Sequence, residues 1–219
     1  MAKFTVIGLG SFGNTVALEL ARLNHEVIGI DSNKKNIEDI SDQITYAVIA
    51  DGTDEHVLQE LNLQDCAAVI VAIGEDIEAS ILCVLHLQNM GIRNIWAKAK
   101  TKSHHMILSH FNIPKIIHPE EDMGIRVAQA LNYPMISRYM ALEDDHYIVK
   151  VVVPEHLNDI NLIGLMATST QVNIILLKRG EQIIYHITPD IVLHTADLLI
   201  LEGHLTDLKK LSHRFLKNI

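Results

Sequence analysis

Phe4-Thr5-Val6-Ile7-Gly8-Leu9-Gly10-Ser11-Phe12-Gly13 decides how the rest of this 219-residue chain reads. An apolar strand over about 3–8 runs into a glycine turn, and a helix over about 12–23 follows with Val16, Leu20 and Leu23 on one face. Strand, turn and helix in that order bring backbone N–H donors and the positive end of a helix dipole to one point, which suits a nucleotide phosphate. Gly8 then makes the tight turn, Gly10 keeps side-chain bulk away from a pyrophosphate, and Gly13 lets helix and strand pack closely. Ser11 and Phe12 sit between them, at the start of the helix. A glycine turn without a ligand is the bland alternative, and the flanking strand and amphipathic helix argue against it. Asp31 ends a second strand (26–31) about 20 residues beyond the turn, where a ribose diol is read. Ser32 and Asn33 either bond the same sugar or cap the next helix. A carboxylate at position 31 repels a 2′-phosphate, so NADP is the least suited dinucleotide.

Working outward, strands alternate with helices. Strands at 47–50, 68–73, 94–98 and 115–117 are separated by helices at 54–61, 76–90 and 104–111. With the first two they make a doubly wound parallel α/β sheet of Rossmann-like type. Ligands of such sheets lie beyond the carboxyl ends of the strands, so Asp51, Gly52, Ile73, Gly74 and Glu75 are candidate crevice residues. Ordinary turn chemistry accounts for Asp51 equally well. Lys98 ends a strand where its ammonium can approach a phosphate. His104 and His105 are adjacent on a helix and point apart, so they are no chelating pair; one of them reaching the nucleotide is the functional alternative to a surface histidine. Glu120, Glu121 and Asp122 open the next helix, where three acids complement its dipole or hold a hard cation.

Pro119 ends the sheet, and 120–131 reads as an amphipathic connecting helix with Val127, Ala130 and Leu131 on its apolar side, broken by Pro134. The remainder differs in kind. A β-rich run at 147–153, a short helix at 162–167, a hairpin of 172–177 with 182–186, a strand at 198–201 and a helix at 207–216 make a small α+β module. The expected domains are 1–135 and 139–219.

Composition removes several classes. The net charge is −9, with 10 Lys/Arg against 17 Asp/Glu in residues 1–135, so no basic face exists for nucleic acid. The apolar run at 67–73 is far shorter than a membrane span, and the N-terminal residues show no leader pattern. Cys66 and Cys83 read as buried thiols of a reducing, cytoplasmic compartment. His146, His156, His186 and His194 in the second module form no convergent acid/base set, which weighs against an NAD-dependent oxidoreductase, the alternative function.

Gly8–Gly13, Asp31, Ala50-Asp51-Gly52-Thr53, Val71–Glu75, Asn94–Ala99 and above all Ile116-Ile117-His118-Pro119-Glu120-Glu121-Asp122-Met123-Gly124 resemble the regulatory subunits of bacterial Ktr/Trk-type potassium uptake systems. The stretch Asp197–His204 is similar to the close of their second lobe. The resemblance covers nearly the whole chain and implies a Rossmann RCK (regulator of potassium conductance) N-lobe, a small RCK C-lobe and no catalysis. It implies a homo-oligomer in which dimers assemble into an octameric ring. The ring lies in the cytoplasm, against the inner face of the membrane through a potassium-translocating membrane subunit. ATP or ADP, and NAD(H) in parts of the family, would be lined by Gly8, Gly10, Ser11, Phe12, Gly13, Asp31, Ser32, Asn33, Asp51, Gly52, Ile73, Gly74, Glu75, Lys98 and His104. Glu120 would approach the phosphates or a divalent cation such as Mg. Many such subunits carry arginine where this chain has Ser11, and loss of that charge-assisted contact shifts the expectation toward ADP or NAD(H). Some relatives bind cyclic di-AMP between C-lobes; Ala167-Thr168-Ser169-Thr170 lacks the arginine this needs, so that ligand is not expected.

Overall fold

A computed structural model describes residues 1–132, 136–142, 144–166 and 171–216. Chain contacts divide it into two compact units, Met1–Asp122 and Met123–Ile219. The expected helix stop at Pro134, Met135 at the edge of the expected domain boundary, and the Ala167–Thr170 segment lie outside the described residues.

In the first unit, β1 (Lys3–Ile7), β2 (Glu26–Asp31), β3 (Tyr46–Ile49), β4 (Ala68–Val71), β5 (Ile95–Lys98) and β6 (Lys115–Ile117) form one sheet in the order β3-β2-β1-β4-β5-β6. Every pairing is parallel. The crossovers are α1 (Ser11–Arg22), α2 (Lys34–Glu38), α3 (Glu55–Glu60), α4 (Ile77–Asn89) and α5 (Lys102–His110). Strand alternation sends Ile7, Ile28, Val69 and Ile95 to one core with Leu87 and Leu108. Val6, Val27 and Ile70 go to the other, with Ala17, Ile37 and Ile40. Helices on both faces leave all four residues of β4 buried, as its unbroken apolar run requires. Strand order reverses between β1 and β4, and the crevice opens there. Leu23 falls just past α1 and is exposed, so the buried face of that helix is Ala17 with Val16 and Leu20 against it. Cys83 is buried, its thiol pushed up to about 12 by burial. Cys66 is only partly buried, with its sulfur 3.2 Å from Thr5 Oγ1, so the expectation of two buried thiols holds for one.

Pro119 opens α6 (Pro119–Asn132), the position where a missing N–H costs nothing. Met123, Ile125, Val127 and Leu131 on this helix are all exposed in the single chain.

The second unit holds β7 (Ile136–Ala141), β8 (His146–Val152), β9 (Val172–Arg179), β10 (Gln182–Ile184) and β11 (Leu198–His204) in one antiparallel sheet, ordered β10-β9-β11-β8-β7. One face buries Val149, Val151, Leu177, Leu199 and Leu201 against α7 (Leu162–Met166) and α8 (Leu205–Phe215) through Leu165, Leu208, Leu211 and Phe215. β7 was not anticipated, because Ile-Ser-Arg-Tyr-Met-Ala carries no strict alternation and its strand character comes from pairing with β8. β11 runs three residues past the expected end, since β8 supplies partners as far as His146.

Asp197 pins this unit. It is 1% exposed and accepts Arg179 Nε at 2.9 Å, Arg179 Nη2 at 2.7 Å and the His194 N–H at 2.8 Å. Arg179 also donates to the Val192 carbonyl at 2.7 Å. Burial would raise the Asp197 carboxyl, but the Arg179 hydrogen bonds, the His194 N–H and the charges of both residues together hold it below its ordinary value. A depressed carboxylate stabilises above its unfolded value and loses that contribution as pH falls through the folded one. Asp197→Ala is expected to cost about 3 kcal/mol at neutral pH. In urea titrations the deficit against the unsubstituted chain should shrink as pH drops below the carboxylate range; a deficit independent of pH would contradict the charge account.

Candidate nucleotide cleft

Two glycines set the geometry. Gly8 lies at φ +91°, and a Cβ there would stand 2.9 Å from the Ile73 nitrogen. At Gly13 a Cβ would stand 1.9 Å from the Gly8 carbonyl oxygen, so α1 rests directly on the turn. Gly10 is the N-cap of α1, and a Cβ there meets nothing within 4 Å.

Asn33, Asp54, Asp76 and Thr101 cap α2, α3, α4 and α5 with their side chains, whereas no side chain caps α1 and its first turn holds no acid. Its opening amides are the donors a helix leaves without intrahelical partners. They carry the positive end of the dipole toward a cleft of about 550 Å³ at the strand tips. That volume is within the range of small-molecule sites.

Of the expected residues, Gly8, Gly10, Asp31, Ser32, Asp51, Gly52, Ile73, Gly74 and Glu75 line this cleft together. Asp31 Oδ2 accepts the Leu9 N–H at 2.6 Å and Asn36 Nδ2 at 3.1 Å, while Oδ1 accepts the Asn33 N–H at 2.7 Å. The carboxylate thus ties the tip of β2 to the glycine turn. Asn33 takes the capping role, accepting the Lys35 N–H at 3.0 Å, and does not line the cleft. Asp51 Oδ1 accepts the Thr53 N–H at 2.9 Å and Thr53 Oγ1 at 2.8 Å, bonds that hold its carboxyl below the ordinary value.

Ser11, Phe12, Gly13, Lys98, His104 and Glu120 are not among the lining residues. Lys98 lies beside them: a Cβ on Gly74 would touch its Nζ at 2.9 Å, and that Nζ stands 6.0 Å from the Phe12 ring centroid. It is paired with Glu120 Oε1 at 2.5 Å, and this bond depresses the Glu120 carboxyl. Lys100 pairs with Glu75 at 2.7 Å and depresses that carboxyl in the same way. His104 is buried at the start of α5, where Nδ1 accepts the Lys100 N–H at 3.3 Å and Nε2 has no partner among the described residues. Burial first, and the His118 charge second, lower its pKa. His105 instead stacks on His118, with Nδ1 and Nε2 at 2.8 Å, a pairing across 13 residues that spacing gives no means to see. In the second unit His146 bonds Glu202 at 2.8 Å and His156 bonds the Arg214 carbonyl at 3.0 Å; these are separate local contacts.

Sequence reasoning missed Asn36, Thr53, Asp76, Glu78, Ala79 and Leu82 in the lining. The spacing of Glu78, Ala79 and Leu82, on the helix that follows the Gly74 tip, was the available signal. Among the described residues no group of three or more His, Cys, Asp or Glu is placed to hold a metal ion.

Fold and cleft define a Rossmann-type domain with an open cleft at its strand tips, joined to a small antiparallel module. Residues 4–119 match the TrkA-N domain model, and the chain belongs to the family of Ktr/Trk-type potassium uptake proteins. It is 36% identical to Ktr system potassium uptake protein A of Bacillus subtilis (strain 168), over 95% of this chain and 94% of that one. It is 35% identical to Ktr system potassium uptake protein C of the same organism, over 98% of this chain and 97% of that one. Among solved structures, the GsuK channel bound to NAD matches the whole chain with a TM-score of 0.59 at 15% identity; the match spans 40% of that channel's length and bears on fold alone.

Gly10→Asp adds a carboxylate in open cleft space at the head of α1. Calorimetry should show nucleotide affinity reduced at least about 100-fold by like charge and lost N–H access. Circular-dichroism melting should stay close to that of the unsubstituted chain. Retained binding would mean the phosphate sits elsewhere.

Proposed function

We propose that this chain is a non-catalytic regulatory subunit that binds an adenine nucleotide in the strand-tip cleft and reports its state to a potassium-translocating membrane partner. The observation that carries the reading is the uncapped, acid-free first turn of α1 resting on the Gly8–Gly13 turn. ATP, ADP and NAD(H) all offer the adenosine, ribose and diphosphate that such a seat takes. The NAD held by the GsuK channel supports that ligand class, and the names of the Bacillus subtilis relatives support the transport setting. Glu120, displaced from Lys98 by a ligand phosphate, is the residue we assign to the phosphates or to a divalent cation such as Mg.

Residues 1–135 act as the nucleotide lobe and 139–219 as the second lobe. Copies dimerise and assemble into an octameric ring in the cytoplasm, held at the inner face of the membrane through the partner. The open apolar row Met123, Ile125, Val127 and Leu131 supports association between copies. No helix among the described residues is long and apolar enough to cross a membrane. A ligand can change ring shape only through differential affinity for two shapes. An NAD-dependent oxidoreductase needs an acid or base facing the nicotinamide.

The test is potassium-limited growth of an uptake-deficient bacterial strain carrying a Ktr-type membrane subunit, together with this chain or its Gly10→Asp variant. Growth restored by the chain and lost with the variant is the expected result. Equal growth with both would overturn nucleotide control.

A further inference from the structure

Side-chain oxygens of Asn33, Asp54, Asp76 and Thr101 cap the helices α2 to α5 of the first unit. In the second unit α8 is capped by a ring nitrogen instead. His204 Nδ1 accepts the Thr206 N–H at 3.3 Å and stands 2.9 Å from Thr206 Oγ1. A ring nitrogen accepts an N–H only while it carries no proton of its own. The capping ring is therefore the neutral Nε2–H tautomer, and a proton added at Nδ1 turns the acceptor into a donor. Histidine is the side chain whose ordinary titration falls nearest neutral pH. The helix it caps closes the core of this unit, with Leu208, Leu211 and Phe215 buried against the sheet. The amide before Thr206, that of Leu205, is held separately by the Asp145 carbonyl at 3.0 Å.

His204 shares the half-buried side of β11 with Glu202, and its cross-strand partner on β8 is His146. The two rings meet edge to face, with centroids 5.6 Å apart. His146 is engaged elsewhere: its Nδ1 lies 2.8 Å from Glu202 Oε1, and the other Glu202 oxygen accepts Asn173 Nδ2 of β9 at 2.8 Å. The His146 bond first, and the Asn173 bond second, hold the Glu202 carboxyl below its ordinary value. On the α8 side, Asp207 in the first turn is paired with Lys210 at 2.9 Å. A charge on His204 would face the positive end of α8 and the ring of His146. The Glu202 carboxylate stays ionised to lower pH than an ordinary glutamate. The bonds that join β8, β11 and β9 through it thus outlast the cap as pH falls.

We propose that His204 is a proton-removable cap, through which acidification frees the first turn of α8 while the sheet beneath it stays paired. The capped state excludes a proton that the uncapped ring takes up, so acid favours the uncapped state. This makes the second unit responsive to pH through a device separate from the strand-tip cleft.

The experiment is hydrogen exchange of the full chain at about pH 7.5 and about pH 5.5, either side of the ordinary histidine range, with rates corrected for intrinsic exchange. Protection of peptides covering 205–211 should fall about fivefold at the lower pH, the size of one lost N-cap. Protection over 198–202 should hold. The variant His204→Asn keeps an acceptor that takes no proton, and its protection over 205–211 should not change with pH. Nitrogen shifts of the His204 ring should report the Nε2–H tautomer at the higher pH. Constant protection in the unsubstituted chain, an equal fall in the variant, or the Nδ1–H tautomer would each overturn the proposal.

Discussion

No side chain can exist at position 13. The Gly8 carbonyl oxygen occupies the place a Cβ would need, at 1.9 Å, so α1 is seated on the turn that leads into it. Everything functional about the first unit follows from that contact. The helix axis aims at the space above the strand tips, and its opening amides arrive there without a side chain to satisfy them. The Asp31 carboxylate locks the arrangement from the other side by holding the Leu9 N–H and the Asn33 N–H at once. One strand tip, one turn and one helix start are thereby fixed as a single rigid cradle.

The electrostatics of the cleft are a balance between that small positive pole and a ring of acids. Cations are present nearby but committed, Lys98 to Glu120 and Lys100 to Glu75. Glu120 stands in the first turn of α6, the helix within which the division between the two units falls. The Lys98–Glu120 ion pair thus joins the end of β5 to the start of that helix.

Much of the fold was legible because the relevant signals are local. The apolar strand, glycine turn and amphipathic helix determine the first βαβ unit, and near-continuous apolar runs such as Ala68–Val71 mark strands covered on both faces. The strand-tip rule placed Asp51, Gly52, Gly74 and Glu75 in one cleft from the ends of two strands that are not adjacent in the sheet. What stayed hidden depends on tertiary pairing. The β7 strand exists because β8 lies beside it, and its polar-apolar order carries no period of its own. The fate of Lys98 was visible as a position but not as an ion pair, since Glu120 is 22 residues away and reaches it only once β5 and β6 are side by side. His104 looked like a crevice residue from its place after β5, yet the turn at Thr101 directs it inward to the Lys100 amide.

The central claim is that the amides at the head of α1, from Gly10 to Gly13, donate to the ligand phosphate, those of Gly8 and Leu9 being held by the Ile30 carbonyl and Asp31. Hydrogen exchange of the full chain with and without saturating NADH measures this at the amides concerned. The account predicts strong protection of peptides covering 8–14, with further protection at 31–36 and 51–54. Protection confined to residues beyond 139, or none at 8–14, would contradict it.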